Sequence, residues 1–150
     1  MSQKNYRRHN CPISQSLSIL GGQWTLLIAR NLINGVNRFD DIQKNLQISR
    51  NLLTRRLKQM QKEGLTERVI PHGLRRAKYL PTNKCSDLIN TLMALSEWAE
   101  KWMPDANRPR CIALKSNTKK PLKLALIPEE KAKKNSKNSY EMIFSDGETT

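Results

Sequence analysis

The segment SRNLLTRRLKQMQKEGL, from Ser49 to Leu65, carries the side chains with the clearest chemistry. Stepping about 100° per residue from Leu53 puts Leu57 and Met60 within ~40° of it, while Asn51, Arg55, Lys58 and Lys62 fall ~140–200° away. A helix there turns an apolar face inward and a polar, basic row outward. Arginine pairs bidentately with guanine and asparagine with adenine, so Arg55 and Asn51 suit base edges in a major groove about as wide as a helix. Lys58 and Lys62, further along, suit phosphate contact. A basic row taken alone describes many solvated surfaces. The stretch from Arg38 to Lys84, however, holds 12 basic residues against four acidic ones, whereas an ordinary helix face mixes signs for i,i+4 pairing. Double-stranded DNA is the partner this pattern favours.

A second reactive group is Cys11. It precedes Pro12, and proline is favoured in the first turn of a helix, which places the thiol at a helix N-terminus. Unsatisfied N–H groups and the macrodipole favour a thiolate there, as would Arg7, Arg8 or His9 folded back beside it. The functional reading is a redox or electrophile switch. The competing reading is a small buried packing residue, since free cysteine is among the most buried residue types.

Other chemistry finds little support. The three cysteines, Cys11, Cys85 and Cys111, are far apart, with only His9 and His72 as companions, so neither a disulfide framework nor a zinc site fits. Cys85 and Cys111 read as packing and tail residues, and no metal or cofactor is expected. There are no paired carboxylates at a plausible site, no nucleophile with a local base and no glycine-rich phosphate loop, which argues against an enzyme.

The 150 residues suit one domain and an appendage, and a hydrophobic content of 37% supports a modest core. Twenty-seven Lys and Arg against 13 Asp and Glu give a net charge of +14. That excess calls for a polyanionic partner, nucleic acid before an anionic membrane surface. No run approaches the ~18 apolar residues of a membrane span, and MSQKNYRRHN lacks the apolar stretch of a signal peptide, so the cytoplasm is the expected compartment.

The reading helix needs elements to mount it. Ile13, Leu17 and Leu20 mark a first helix that breaks at Gly21-Gly22, and Gln23 to Asn34 reads as a second, with Trp24, Leu27, Ile28 and Leu32 apolar. A third begins at Arg38, with Phe39, Ile42 and Leu46 inward. Ser49 is an N-cap for the fourth, and Gly64 supplies its left-handed stop. Leu65–Ile70 and Arg75–Leu80 read as two short strands, with Pro71-His72-Gly73 as the turn. Thr82 to Met103 reads as one further helix, its apolar positions spread over ~220° of the wheel, wide enough for two packing partners. A short helix, a turn, a basic helix and a basic hairpin follow in the order of a winged helix-turn-helix. The fold class is mainly α with a small β-hairpin wing.

The opening Cys11-Pro12, then GGQWTLLI (21–28), RFDDI (38–42), SRNLLTRRLKQMQKEGLTER (49–68), Tyr79 with Thr82, and LSEWAEKW (95–102) together resemble the HxlR-type winged helix-turn-helix regulators, relatives of the MarR group. The resemblance implies a homodimeric transcription regulator, with terminal helices forming the dimer and two recognition helices reading a pseudo-palindromic operator. Carried over by position, Ser49, Arg50, Asn51, Thr54 and Arg55 face bases. Arg75, Arg76 and Lys78 belong to the wing, with Arg38, Lys58 and Lys62 on phosphates. Leu88, Leu92, Leu95, Trp98 and Trp102 are the dimer candidates. Several regulators of this kind carry a cysteine like Cys11 that responds to oxidants or electrophiles. A pocket for a small-molecule effector is also compatible with the resemblance, though no ligand is identified.

The implied organisation is an arm at residues 1–10, the winged domain at 11–104 and a basic tail at 105–150. The tail reads as mostly disordered, with LKLALI (122–127) as a strand or docking segment. Three positions depart from the pattern. The wing has Leu74-Arg75 and Lys78 where relatives often carry paired prolines and an acid, Pro81 stands for a common leucine, and Cys85 for a common glycine. The alternative function is a basic nucleic-acid-binding protein without sequence preference. A regulator should prefer one duplex over random duplex by roughly 10³-fold or more.

Overall fold

The computed structural model describes residues 10–73, 75–104, 111–115, 121–122, 124 and 140–144. The chain divides into two units, Met1–Ile89 and Asn90–Thr150.

The first unit opens with α1 (Pro12–Leu20), which has Pro12 in its first turn and Cys11 as its extended N-cap. After the glycine corner comes α2 (Thr25–Ile33), then α3 (Phe39–Leu46) and α4 (Arg50–Lys62). Only Gln47, Ile48 and Ser49 separate α3 from α4. Gln47 takes the left-handed conformation (φ 50°), and the Gln47 and Ile48 amides return to the Lys44 and Gln43 carbonyls, both at 3.3 Å. That pattern closes the end of α3 and points Ile48 into the core. Ser49 then starts α4, its hydroxyl accepting from the Leu52 amide at 3.3 Å.

The core of this unit joins Ile28, Ala29 and Leu32 of α2 to Ile42 of α3 and to Leu53, Leu57 and Met60 of α4, with Ile48, Leu65 and Cys85 completing it. The inward face expected for α4 is therefore the observed one. Gly64 follows α4 with φ +70°, the conformation in which a side chain is strained.

Strands β1 (Thr66–Val69) and β2 (Lys78–Pro81) pair antiparallel, from Thr66 opposite Pro81 to Val69 opposite Lys78. The second arm of the hairpin thus begins at Lys78, not at Arg75 as the sequence suggested; Arg75 and Arg76 lie in the connecting loop. A further backbone contact joins the segment before α3 to the wing: Arg38 bridges Lys78, and the Tyr79 amide donates to the Asn37 carbonyl at 2.8 Å.

The single helix expected over Thr82–Met103 is interrupted. Thr82 caps a short α5 (Asn83–Ser86), and α6 (Ile89–Trp102) begins after Asp87 and Leu88. The Thr82 hydroxyl donates to the Gly64 carbonyl at 2.7 Å and accepts from the Cys85 amide at 3.3 Å, so it ties the end of the wing to the end of α4. Pro81 is accommodated because it is the last residue of β2, where its partner strand is only beginning. Cys85 is fully buried where the resemblance led to glycine, and burial pushes its thiol up from 9.0 to about 11.

The second unit contains α6 and a three-stranded antiparallel sheet, β4–β3–β5, built from β3 (Cys111–Lys115), β4 (Pro121–Leu122) and β5 (Tyr140–Phe144). The Leu124 amide donates to the Glu97 carboxylate of α6 at 3.0 Å. Within the tail expected to be mostly disordered, the described residues 111–115, 121–122 and 140–144 are strands, and residue 104 lies inside this second unit. Of the LKLALI patch, Leu122 ends a strand, and residues 123 and 125–127 lie outside the described residues.

Candidate nucleic-acid interface

On α4 the sorting of faces is sharp. Leu53, Leu57 and Met60 are 0–1% exposed, whereas Asn51, Thr54, Arg55, Lys58 and Lys62 are all exposed, as is the capping Ser49. Burying three large apolar side chains fixes the rotation of the helix, each contributing roughly 1.5–3 kcal/mol. The polar row is then presented in one direction.

Arg56 was counted with the basic residues, but it is half-buried and runs back to the corner before α2. A Cβ on Gly22 would collide with its Nη1 and lie 2.9 Å from its Cζ. Gly22 thus leaves the space that the end of the Arg56 side chain occupies. Hydrophobic periodicity gave no signal of the contact, because the two residues are joined only by the tertiary fold.

Arg50 also differs from its neighbours. Its Nη1 lies 3.1 Å from Asp40 Oδ1 and 3.3 Å from Gln43 Oε1, and its guanidinium sits 5.0 Å above the Phe39 ring. It is exposed but directed at α3, so of the expected base-facing set it already has partners, as does the capping Ser49. Arg76 of the wing loop approaches the other oxygen of the same carboxylate, Oδ2, at 3.8 Å. The cue to Asp40 in the sequence is an acidic pair, Asp40-Asp41, in an otherwise basic region.

Around Asp40 lies an open cleft of about 380 Å³ lined by Arg38, Phe39, Asp41, Arg50, Arg68, Arg76, Ala77 and Tyr79. Arg38 and Arg75 are exposed, and Lys78 is half-buried beside the Arg38 backbone. The phosphate candidates Arg38, Arg76 and Lys78 therefore lie on or next to one wall, while Lys58 and Lys62 continue along α4.

Cys11 is exposed at the start of α1. Arg7, Arg8 and His9, which were expected to assist it, lie outside the described residues. The apolar dimer candidates divide. Leu88 is half-buried and packs against the core of its own unit. On α6, Leu92 is half-buried, and Leu95, Trp98 and Trp102 are 47%, 56% and 63% exposed. Their spacing of three and four residues sets them along one stripe. Ile13 and Leu17 make a second exposed apolar pair on α1. Among the described residues no helix is long and apolar enough to cross a membrane.

Comparison with known proteins agrees with this architecture. Residues 19–107 match the family described as HxlR-like helix-turn-helix. The HTH-type transcriptional regulator Mb3122 of Mycobacterium bovis is 32% identical over 73% of this chain and 70% of its own length. YvaP of Bacillus subtilis, another HTH-type transcriptional regulator, is 36% identical over 62% of this chain and 89% of its own. Among solved structures, PA1607 superposes with a TM-score of 0.76 at 24% identity, covering 84% of this chain and 89% of that one. The regulator YodB of B. subtilis in its reduced form superposes with a TM-score of 0.55 at 29% identity, covering 64% and 97%. YodB has also been solved bound to a quinone.

Proposed function

The chain belongs to the HxlR-like helix-turn-helix family of DNA-binding transcriptional regulators, and from that premise we propose that it acts in the cytoplasm as a homodimer that reads a pseudo-palindromic operator with α4. The observation that carries this reading is the exposed polar row of α4, set on a buried apolar face. Asn51 and Arg55 read base edges, with Ser49 and Thr54 beside them at the entry of the helix into the groove. Arg50, turned toward α3, holds the start of the helix and offers its remaining N–H groups to the backbone. Lys58 and Lys62, together with Arg38, Arg75, Arg76 and Lys78, take phosphates on either side. The exposed stripe Leu95, Trp98 and Trp102 is the surface for the second copy, with Leu92 at its edge.

Cys11 is the switch in this proposal. It is exposed, and the chain's likeness to a regulator solved bound to a quinone suggests the class of signal. Addition of its sulfur to a quinone ring carbon forms one S–C bond with the thiolate electron pair. One ring electron pair moves onto a quinone oxygen, which takes the thiol proton; the C–H bond at the substituted ring carbon then breaks, its electrons restore the aromatic ring and its proton goes to the second oxygen, leaving a hydroquinone thioether. An adduct at the start of α1 would alter how two reading helices are spaced, and so the affinity.

Fluorescence anisotropy on the duplex upstream of its own gene and on a scrambled duplex, across a salt series, tests the reading. A steep salt slope on both with roughly 10³-fold discrimination is expected. A steep slope without discrimination, there and in genome-wide site selection, would leave only the charge-driven alternative that the net charge of +14 favours. Mass spectrometry after quinone treatment tests the switch, and an unmodified Cys11 with unchanged affinity would remove it.

A further inference from the structure

The cleft beside α3 contains an arrangement that the reading of α4 does not use. One carboxylate, Asp40, stands between two arginines on two different DNA-facing elements. Oδ1 is 3.1 Å from Nη1 of Arg50, the first residue of α4, and Oδ2 is 3.8 Å from Nη1 of Arg76 in the wing loop. Arg50 is further held by Gln43 Oε1 at 3.3 Å and by the Phe39 ring at 5.0 Å. Arg76 has the longer and more exposed contact, with 79% of its side chain open to solvent.

An acid in a surface meant for a polyanion should repel it, so charge alone would disfavour Asp40. Nor does stability account for it, because ion pairs this exposed contribute little. What the geometry offers is orientation: both guanidiniums are long side chains with several rotamers, and ordering them on binding costs free energy that a prior partner reduces. We infer that Asp40 is a positioning residue for DNA recognition, holding Arg50 and Arg76 at a fixed separation so that the start of α4 and the wing meet the duplex in one register. This rests on the operator reading above.

The test compares wild type, D40N and D40E on cognate and scrambled duplexes by anisotropy at several salt concentrations. Asparagine removes the charge and keeps the shape, so D40N should lose cognate affinity while scrambled-duplex affinity is unchanged or rises. Discrimination should fall about fivefold, the scale of an exposed ionic contact. D40E should recover much of it, and D40N should have no further effect on discrimination once Arg50 and Arg76 are both alanine. Equal gains on both duplexes would make Asp40 a bulk charge, equal losses would make it a fold residue, and no change would make it idle; each overturns the inference. A second readout needs no DNA: solvent exchange of the Arg50 and Arg76 Nη–H protons by NMR should be slowed in wild type and faster in D40N. A wild type that fails to discriminate sinks the operator reading and the recognition role together, whatever D40N does. Unchanged exchange in D40N sinks the positioning role alone.

Discussion

Cys11 and Cys85 should differ sharply in reactivity, and the burial of Cys85 allows the difference to be worked out. Its side chain is fully buried among the core residues, and burial raises it from 9.0 to about 11. At pH 8 that shift lowers the thiolate fraction by about a hundredfold, and the thiolate is the reacting species. Access through the core lowers the rate further, so native Cys85 should be modified only through opening of the fold. The same shift has a stability consequence. Between pH 9 and pH 11 the unfolded thiol ionises while the folded one keeps its proton, so the folded state binds more protons and stability falls as pH rises. The stabilisation is complete below the unfolded value, and the loss amounts to about 2–3 kcal/mol by the upper end. In a Cys111→Ser background, iodoacetamide labelling at pH 8 followed by peptide mass spectrometry should show Cys11 modified and Cys85 at least a hundredfold slower. Urea unfolding of that protein and of its Cys85→Ala derivative across pH 8–11 isolates the thiol from the titrating lysines, because only the difference between the two is read. Comparable labelling of the two cysteines in the folded protein, or identical pH dependence with and without Cys85, would refute the reasoning.

Four further outcomes are expected. Arg55→Ala should cost about 1–3 kcal/mol on the operator and relax preference at one base position, whereas an equal loss on every duplex would mark Arg55 as a phosphate contact. Gly64→Ala places a side chain at φ +70° and should destabilise by about 1–2 kcal/mol in chemical denaturation; a neutral result would mean that the chain after α4 relaxes freely. Thr82→Val removes the hydroxyl that caps α5 and ties it to Gly64. It should cost about 1–2 kcal/mol, and a cost within error would show that tie to be dispensable. Trp98→Asp together with Trp102→Asp should shift sedimentation from dimer to monomer without unfolding the first unit, and an unchanged dimer would move the interface off α6.

The amino-acid sequence by itself determined the features that depend on local spacing. The inward set Leu53, Leu57 and Met60, the outward row Asn51, Arg55, Lys58 and Lys62, the cap at Ser49 and the left-handed Gly64 all follow from helical periodicity and backbone conformation within one stretch of chain. The order of helices and hairpin followed from the same signals repeated. Tertiary structure decided what joins residues distant in sequence. Arg56 against Gly22, Asp40 between Arg50 and Arg76, and Arg38 beside Lys78 have no periodic signature, since each depends on where two elements meet. Leu88 shows the same limit from the other side: its helical spacing matches that of the exposed stripe, yet it precedes α6 and packs, half-buried, against the core. The strands beyond residue 104 escaped composition because a Lys-rich average hides short segments whose backbones pair across long separations, Cys111 with Phe144 among them. Periodicity reports which face of an element is apolar; only packing fixes what that face, and each long charged side chain beside it, finally meets.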